Sequence, residues 1–316
     1  MSSPVNADFA QDIKKQLSKI LQDSGYTVDE NHPQSIAGFT NEQLKYRIAW
    51  NIAFQFFNIR KRSIEPRSRI AVLSQELGRR TLSAAHKASI DLIVSESQTG
   101  ASLTHFMTTS MQDAAYDDTL LNDWGIVHFH LGSPTPDKPS LITKLATFVS
   151  RSGPLLFVFP TYSHLYLIDV LAHGSWAERD MIEILHCNWP NILSPYRLPG
   201  VTSGIVMPDE ETIKALRKAG VSYPLMVSDG TVYMSPGGGY SSDRSSAYAV
   251  DKANQLFNTI RRLDELIRAQ ADSLIRRINA QFGTTIDNLN LSLHYDGQQF
   301  NVIETQTRTG LWQGKI

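Results

Sequence analysis

Near the N-terminus, apolar residues recur at helical spacing. In VNADFAQDIKKQLSKILQD, Val5, Phe9, Ile13, Leu17, Ile20 and Leu21 form the stripe of an amphipathic helix over 5–23, which Gly25 ends. Thr40 followed by Gln43 is a capping-box pair, and LKYRIAWNIAFQFFNI after it is apolar nearly all round, as a buried helix is. RKRSIEPRSR, residues 60–69, breaks that pattern with five Arg or Lys in ten positions. Pro66 forbids simple helical continuation, so the run reads as a charged loop. After the short apolar stretch IAVLS, helical spacing returns over 76–97 and 101–121.

The texture changes at Trp124. GIVHFHLG, PLLFVFP and LYLIDVL are short, aromatic and β-branched, with Gly, Pro and Ser around them, and read as strands. TYSH between the last two has the length of a hairpin turn. WAERDMIEILHCNWP is a helix stopped by Pro190. From residue 200 the pattern restarts with strand-like SGIVM and with DEETIKALRKAG, a helix capped by Asp209 and ended by Gly220. YPLMVSDGTVYMS and LSLHYDGQQFNVIET are hairpins turning on Asp-Gly. Between them, Leu256, Ile260, Leu263, Ile267, Leu274 and Ile278 mark one long helix over 245–281, its arginines spaced to meet Asp264, Glu265 and Asp272. PGGGYSSDRSS before it lacks the spacing and the lysine of a P-loop and reads as a tight turn, with Ser242 or Asp243 as helix cap. The expected class is α+β: a helical N-terminal region (1–123), a small antiparallel central sheet (124–199), and C-terminal hairpins with one long helix (200–316).

Composition adds mainly exclusions. At 41% hydrophobic and 19% charged, the 316 residues describe a globular chain. A formal net charge of -1 gives no global basic field. Cys187 is the only cysteine, so neither an internal disulfide nor a multi-cysteine zinc site is available. No segment approaches the ~18–20 apolar residues of a bilayer span, and the first residues lack a secretory signal's apolar core. The expectation is a bacterial-style reducing cytoplasm with no membrane partner.

Candidate chemistry centres on His128 and His130, two of nine histidines. In a strand they share a face, while Val127, Phe129 and Leu131 share the other. The apolar side can bury against a helix and leave the imidazoles on a cleft, where two such groups can divide acid and base roles. In HLYLIDVLAHGSW, strand alternation puts Asp169 on the face of Leu165 and Leu167, with His173 just beyond the strand. A carboxylate there needs a partner, and Lys144, Arg151, His164 and His173 are at hand.

Two reactions fit these side chains. One is metal-free RNA cleavage, with His128, His130 and His173 as acid and base and Arg151 or Lys144 holding the phosphorane charge. Tyr162, Tyr166 and Trp176 would stack on bases, and the basic run Arg60, Lys61 and Arg62 would contact phosphates. The other is a metal-dependent hydrolase, with His128, His130, Asp169 and His173 as ligands to zinc or manganese. A third reading has no enzyme: the apolar stripe of 245–281 would hold a cognate protein or a second copy.

Over residues 124–190, the order strand, connection, hairpin, helix resembles the core of the RelE/ParE-type RNase toxins. The resemblance spans under a quarter of the chain. It implies an endoribonuclease of toxin or phage-defence type that needs no cofactor, with Tyr166, Arg151, His128, His130 and His173 at matching positions. LLNDWGIVHFHLG and EILHCNWP also look like segments of uncharacterised bacterial proteins, which implies no activity.

Overall fold

The computed structural model describes residues 4–30, 39–139, 147–151, 153–201 and 206–315. In chain order it begins with β1 (Val5–Asn6), α1 (Phe9–Asp23), α2 (Asn41–Arg62), β2 (Ile70–Leu73), α3 (Gln75–Arg79) and α4 (Ala84–Thr99). Then follow 3₁₀ turns at Thr104–Phe106 and Thr109–Gln112, α5 (Thr119–Trp124), β3 (Val127–His130), β4 (Pro134–Pro139) and β5 (Thr147–Val149). The hairpin of β6 (Leu155–Pro160) and β7 (His164–Leu171) leads to α6 (Asp180–Asn188), α7 (Pro190–Leu193) and α8 (Glu210–Lys218). β8 (Leu225–Met226) and β9 (Val232–Tyr233) precede α9 (Ala247–Ala269) and α10 (Ala271–Phe282). β10 (Leu289–Tyr295), β11 (Gln299–Glu304) and β12 (Thr309–Lys315) complete an α+β protein.

The chain divides into two compact units, Met1–Phe57 with Ala249–Ile316, and Asn58–Tyr248. Three consecutive regions were the sequence expectation; instead the two ends of the chain form one unit. β1 pairs parallel with β10, Val5 opposite Leu289, a pairing that no local pattern reveals. In that unit the sheet order is β1-β10-β11-β12, and α1 buries Phe9, Ile13, Leu17 and Leu21. Where β1 ends, α1 side chains take over the exposed edge of β10. Asp12 accepts from the Leu293 N–H at 2.7 Å, and Gln16 accepts from the Tyr295 N–H at 2.6 Å. The capping box forms as expected, Thr40 N–H to Gln43 at 2.9 Å and Gln43 N–H to Thr40 at 3.2 Å.

The helix expected over 245–281 is interrupted at Gln270, whose N–H bonds both Leu266 O and Ile267 O. Its apolar stripe, from Leu256 through Ile278, is buried within the chain, so it is no free face for a partner. Asp243 accepts from the Ser245 N–H at 3.1 Å and closes a turn rather than capping α9. The helix expected over 101–121 is two 3₁₀ turns and α5. Thr108, Asp113 and Asp118 each accept a hydrogen bond from a nearby backbone N–H, and such local bonds compete with continuous helix. SGIVM lies mostly outside the described residues.

The other unit holds a four-stranded sheet of order β2-β7-β6-β3. It is mixed rather than antiparallel throughout, because β2 runs parallel to β7. One face, with Val127, Phe129, Leu156, Val158, Leu165 and Leu167, packs with Ile90, Ile93 and Phe106. The opposite face, with Leu155, Phe157 and Ile168, packs with Trp124, Met181, Ile182 and Leu185. Both faces are therefore covered, and β3 lies at one edge, bonded only to β6 among the described strands.

Candidate functional site

His128 and His130 project from β3 on the Phe157 face, as strand alternation requires. At the sheet edge that face borders a cavity of about 310 Å³ lined by His128, His130, His173, Arg151 and Trp176. Thr108, Ser110, Tyr116, Asp118 and Thr119 complete the polar part of its wall. The centroids of His128 and His130 are 6.0 Å apart, and Trp176 packs 4.6 Å from His128 and 5.3 Å from His173. Three imidazoles and one guanidinium thus share one cavity. His173 is exposed, whereas His130 retains only 5% of its surface. The Nδ1 atoms of His128 and His130 are sealed and have no hydrogen-bond partner among the described residues.

Burial holds both of these imidazoles below the usual histidine range. His130 is pushed down to about 4 by desolvation first, then by His128, Arg151 and His173. His128 is lowered by desolvation, with the carboxylate of Asp118 opposing and His173 reinforcing. A stability effect follows. The unfolded chain accepts a proton on each near 6.5 while the fold keeps them neutral, so stability is present above that pH and lost as pH falls below it, for His130 as far as about 4. The expected loss for His130 is of order 3 kcal/mol across that window. Urea midpoints measured against pH check it, and His130→Gln should flatten the acid limb.

The walls are anchored from behind. Arg217 on α8 donates from Nε to Asp123 at 2.8 Å, with both side chains almost wholly buried. Asp123 also accepts from the Ser235 hydroxyl at 2.8 Å, and the Arg217 guanidinium lies 4.0 Å over Trp124 and donates to the carbonyl of Trp176. The ion pair thus fixes the backbone that carries the cavity's Trp. Asp118 caps α5, its Oδ1 accepting from the Leu121 N–H at 3.0 Å. Burial pushes the Tyr116 phenol up to about 12, so it stays protonated.

Other expected site residues lie elsewhere. Asp169 lines a separate cavity of about 760 Å³ and accepts two hydrogen bonds from Arg80, one at 2.6 Å. The strand order is the reason: Asp169 on β7 pairs with Phe157 on β6, and Phe157 pairs with His128 on β3, so the carboxylate lies two strands from the histidines with Phe157 between. A bulge in the β6–β7 pairing slips the alternation expected along β7, so Val170 joins Leu165 and Leu167 in their core cluster and Asp169 does not. The metal set of His128, His130, Asp169 and His173 is therefore not assembled. Among the described residues no three His, Cys, Asp or Glu side chains stand close enough to hold an ion.

Tyr166 packs on His164 and Trp189 and is not in the histidine cavity. Arg60, Lys61 and Arg62 end α2 instead of forming a loop, since the helix continues until Ser63. Lys61 is half-buried and donates to Asn122 at 2.9 Å, Gly237 O at 2.8 Å and Ser246 at 3.1 Å. Burial lowers its pKa to about 8. Arg62 is buried and donates to Asp113 O at 2.9 Å, and Arg60 is exposed on the last turn. None of the three lines the cavity. Tyr162 is an exposed surface residue beneath the guanidinium of Arg67, and Lys144 lies outside the described residues.

Comparison with protein-family models, curated proteins and solved structures finds no match. Among the described residues no helix is long and apolar enough to cross a membrane.

Proposed function

We propose that the histidine cavity cleaves RNA without a metal, as an endoribonuclease of the toxin or phage-defence kind. The observation that carries this is the convergence of His128, His130, His173 and Arg151 on one accessible polar cavity. In the proposed reaction the ribose 2′-oxygen attacks the adjacent phosphorus and its proton passes to His173, the water-exposed imidazole of the three. The bond from phosphorus to the 5′-oxygen breaks, that oxygen takes a proton from solvent, and a 2′,3′-cyclic phosphate remains. Arg151, held by a 2.9 Å bond to Thr109, supplies positive charge to the phosphoryl oxygens. Thr108 and Ser110 offer hydroxyls on the same wall.

The test is incubation of the purified protein with single-stranded RNA in the presence of a chelator. The expected result is cyclic-phosphate ends on RNA and no cut in DNA of the same sequence, which lacks the attacking hydroxyl. Intact RNA, or cleavage that the chelator abolishes, would count against the reading.

A further inference from the structure

We infer that His128 and His130 act as neutral hydrogen-bond donors, through Nε2–H, to one compact oxyanion, the phosphoryl group of the substrate. This deepens the preceding reading and rests on it for the site, but not on RNA as the source of the phosphate.

Protonating either imidazole would put an N–H on an Nδ1 that is buried and has nothing to donate to. A buried donor without a partner bears its full desolvation penalty, and a bare acceptor lone pair is the less costly state. The proton of each neutral ring therefore sits on Nε2, the nitrogen left to meet the cavity.

The surroundings oppose a second proton. Arg151 and His173 line the same cavity as the rings, and Phe157 of β6 adds only hydrocarbon. Asp118 is the lone carboxylate on the wall among the described residues, and one of its oxygens is engaged in capping α5. Tyr116 stays an uncharged phenol. Two N–H donors and a guanidinium around one cavity, with a single partly committed carboxylate, are complementary to a group that only accepts. The volume, about 310 Å³, is at the small end of ligand sites, which argues for a single phosphoryl group rather than a folded polyanion.

A proton-transfer role for the same two histidines predicts different behaviour, and calorimetry separates the two. The probe is sulfate, a tetrahedral oxyanion that does not itself titrate near neutrality. Titrating it into the full chain carrying His173→Ala, which leaves His128 and His130 as the imidazoles of the cavity, in two buffers of different ionisation heat should show no net proton exchange. Its affinity should stay level across about pH 6 to 8, where a cationic imidazole would titrate. His130→Gln retains an N–H donor and should bind sulfate within a few-fold of the parent. His130→Leu removes the donor and should lose about tenfold to a hundredfold, the loss of one hydrogen bond to a charged group.

Proton uptake on binding, equal losses in the Gln and Leu variants, or no saturable binding would each overturn the inference. Should the Leu variant fail to fold, the two-buffer comparison on the His173→Ala chain still decides. Sulfate binding as expected with RNA left intact would remove the ribonuclease reading and leave the oxyanion site standing. RNA cleavage accompanied by proton-linked sulfate binding would do the reverse.

Discussion

Asp123→Ala should destabilise the Asn58–Tyr248 unit by about 3–5 kcal/mol, the usual cost of breaking a buried ion pair from one side. Arg217 would be left charged and almost fully buried, its bond to Asp123 gone and only the Trp176 carbonyl and the Trp124 ring to face. The Ser235 hydroxyl would lose its acceptor as well. Replacing both charges, as Asp123→Leu with Arg217→Met, should recover most of the loss, because the desolvation penalty disappears together with the attraction. Urea denaturation followed by tryptophan fluorescence measures both variants. Equal midpoints for Asp123→Ala and the parent would mean that the pair does not hold the cavity wall. Because Arg217 fixes the Trp176 backbone, weakened sulfate binding should accompany the lost stability.

His173→Ala should lower RNA cleavage by about 10²- to 10⁴-fold, the range for removing a general base. The residue is exposed and packs edge-on against Trp176, so the fold should tolerate the change with little loss of stability. That separates its expected phenotype from those of half-buried His128 and buried His130, whose removal should affect both packing and charge stabilisation. Single-turnover rates with folding checked by near-ultraviolet dichroism decide the point. A cleavage rate within a few-fold of the parent would take His173 out of the reaction. Growth arrest on expression, relieved by His173→Ala, is the matching outcome in cells.

Locally encoded features were legible in the sequence. The stripe of α1, the Thr40–Gln43 box, the Asp209 cap on α8 and the Asp-Gly hairpin turns each depend on neighbours within a few residues. The shared face of His128 and His130 was legible for the same reason, since strand period alone determines it. What was hidden depends on distant segments. Nothing near Val5 announces Leu289, and nothing near Asp123 announces Arg217, 94 residues away. The bulge at Ile168–Asp169 changes the facing of a single carboxylate, and the strand order, which puts β6 between Asp169 and the histidines, dissolves the expected metal set; neither alters the strand assignment. Charge content was a poor guide to surface: Lys61 and Arg62 are helix-end cations turned to buried carbonyls, not a phosphate-seeking arm. Asp118 and Tyr116 left only a faint signal, an aspartate before a short apolar run and a phenol beside it.

The most direct measurement is a long-range proton–nitrogen NMR correlation of the histidine rings at neutral pH, with His128 and His130 assigned by substitution. Both should be uncharged, with hydrogen on Nε2 alone, before and after sulfate is added. Either ring carrying hydrogen on both nitrogens, or on Nδ1, would contradict the donor role on which the account of this cavity depends.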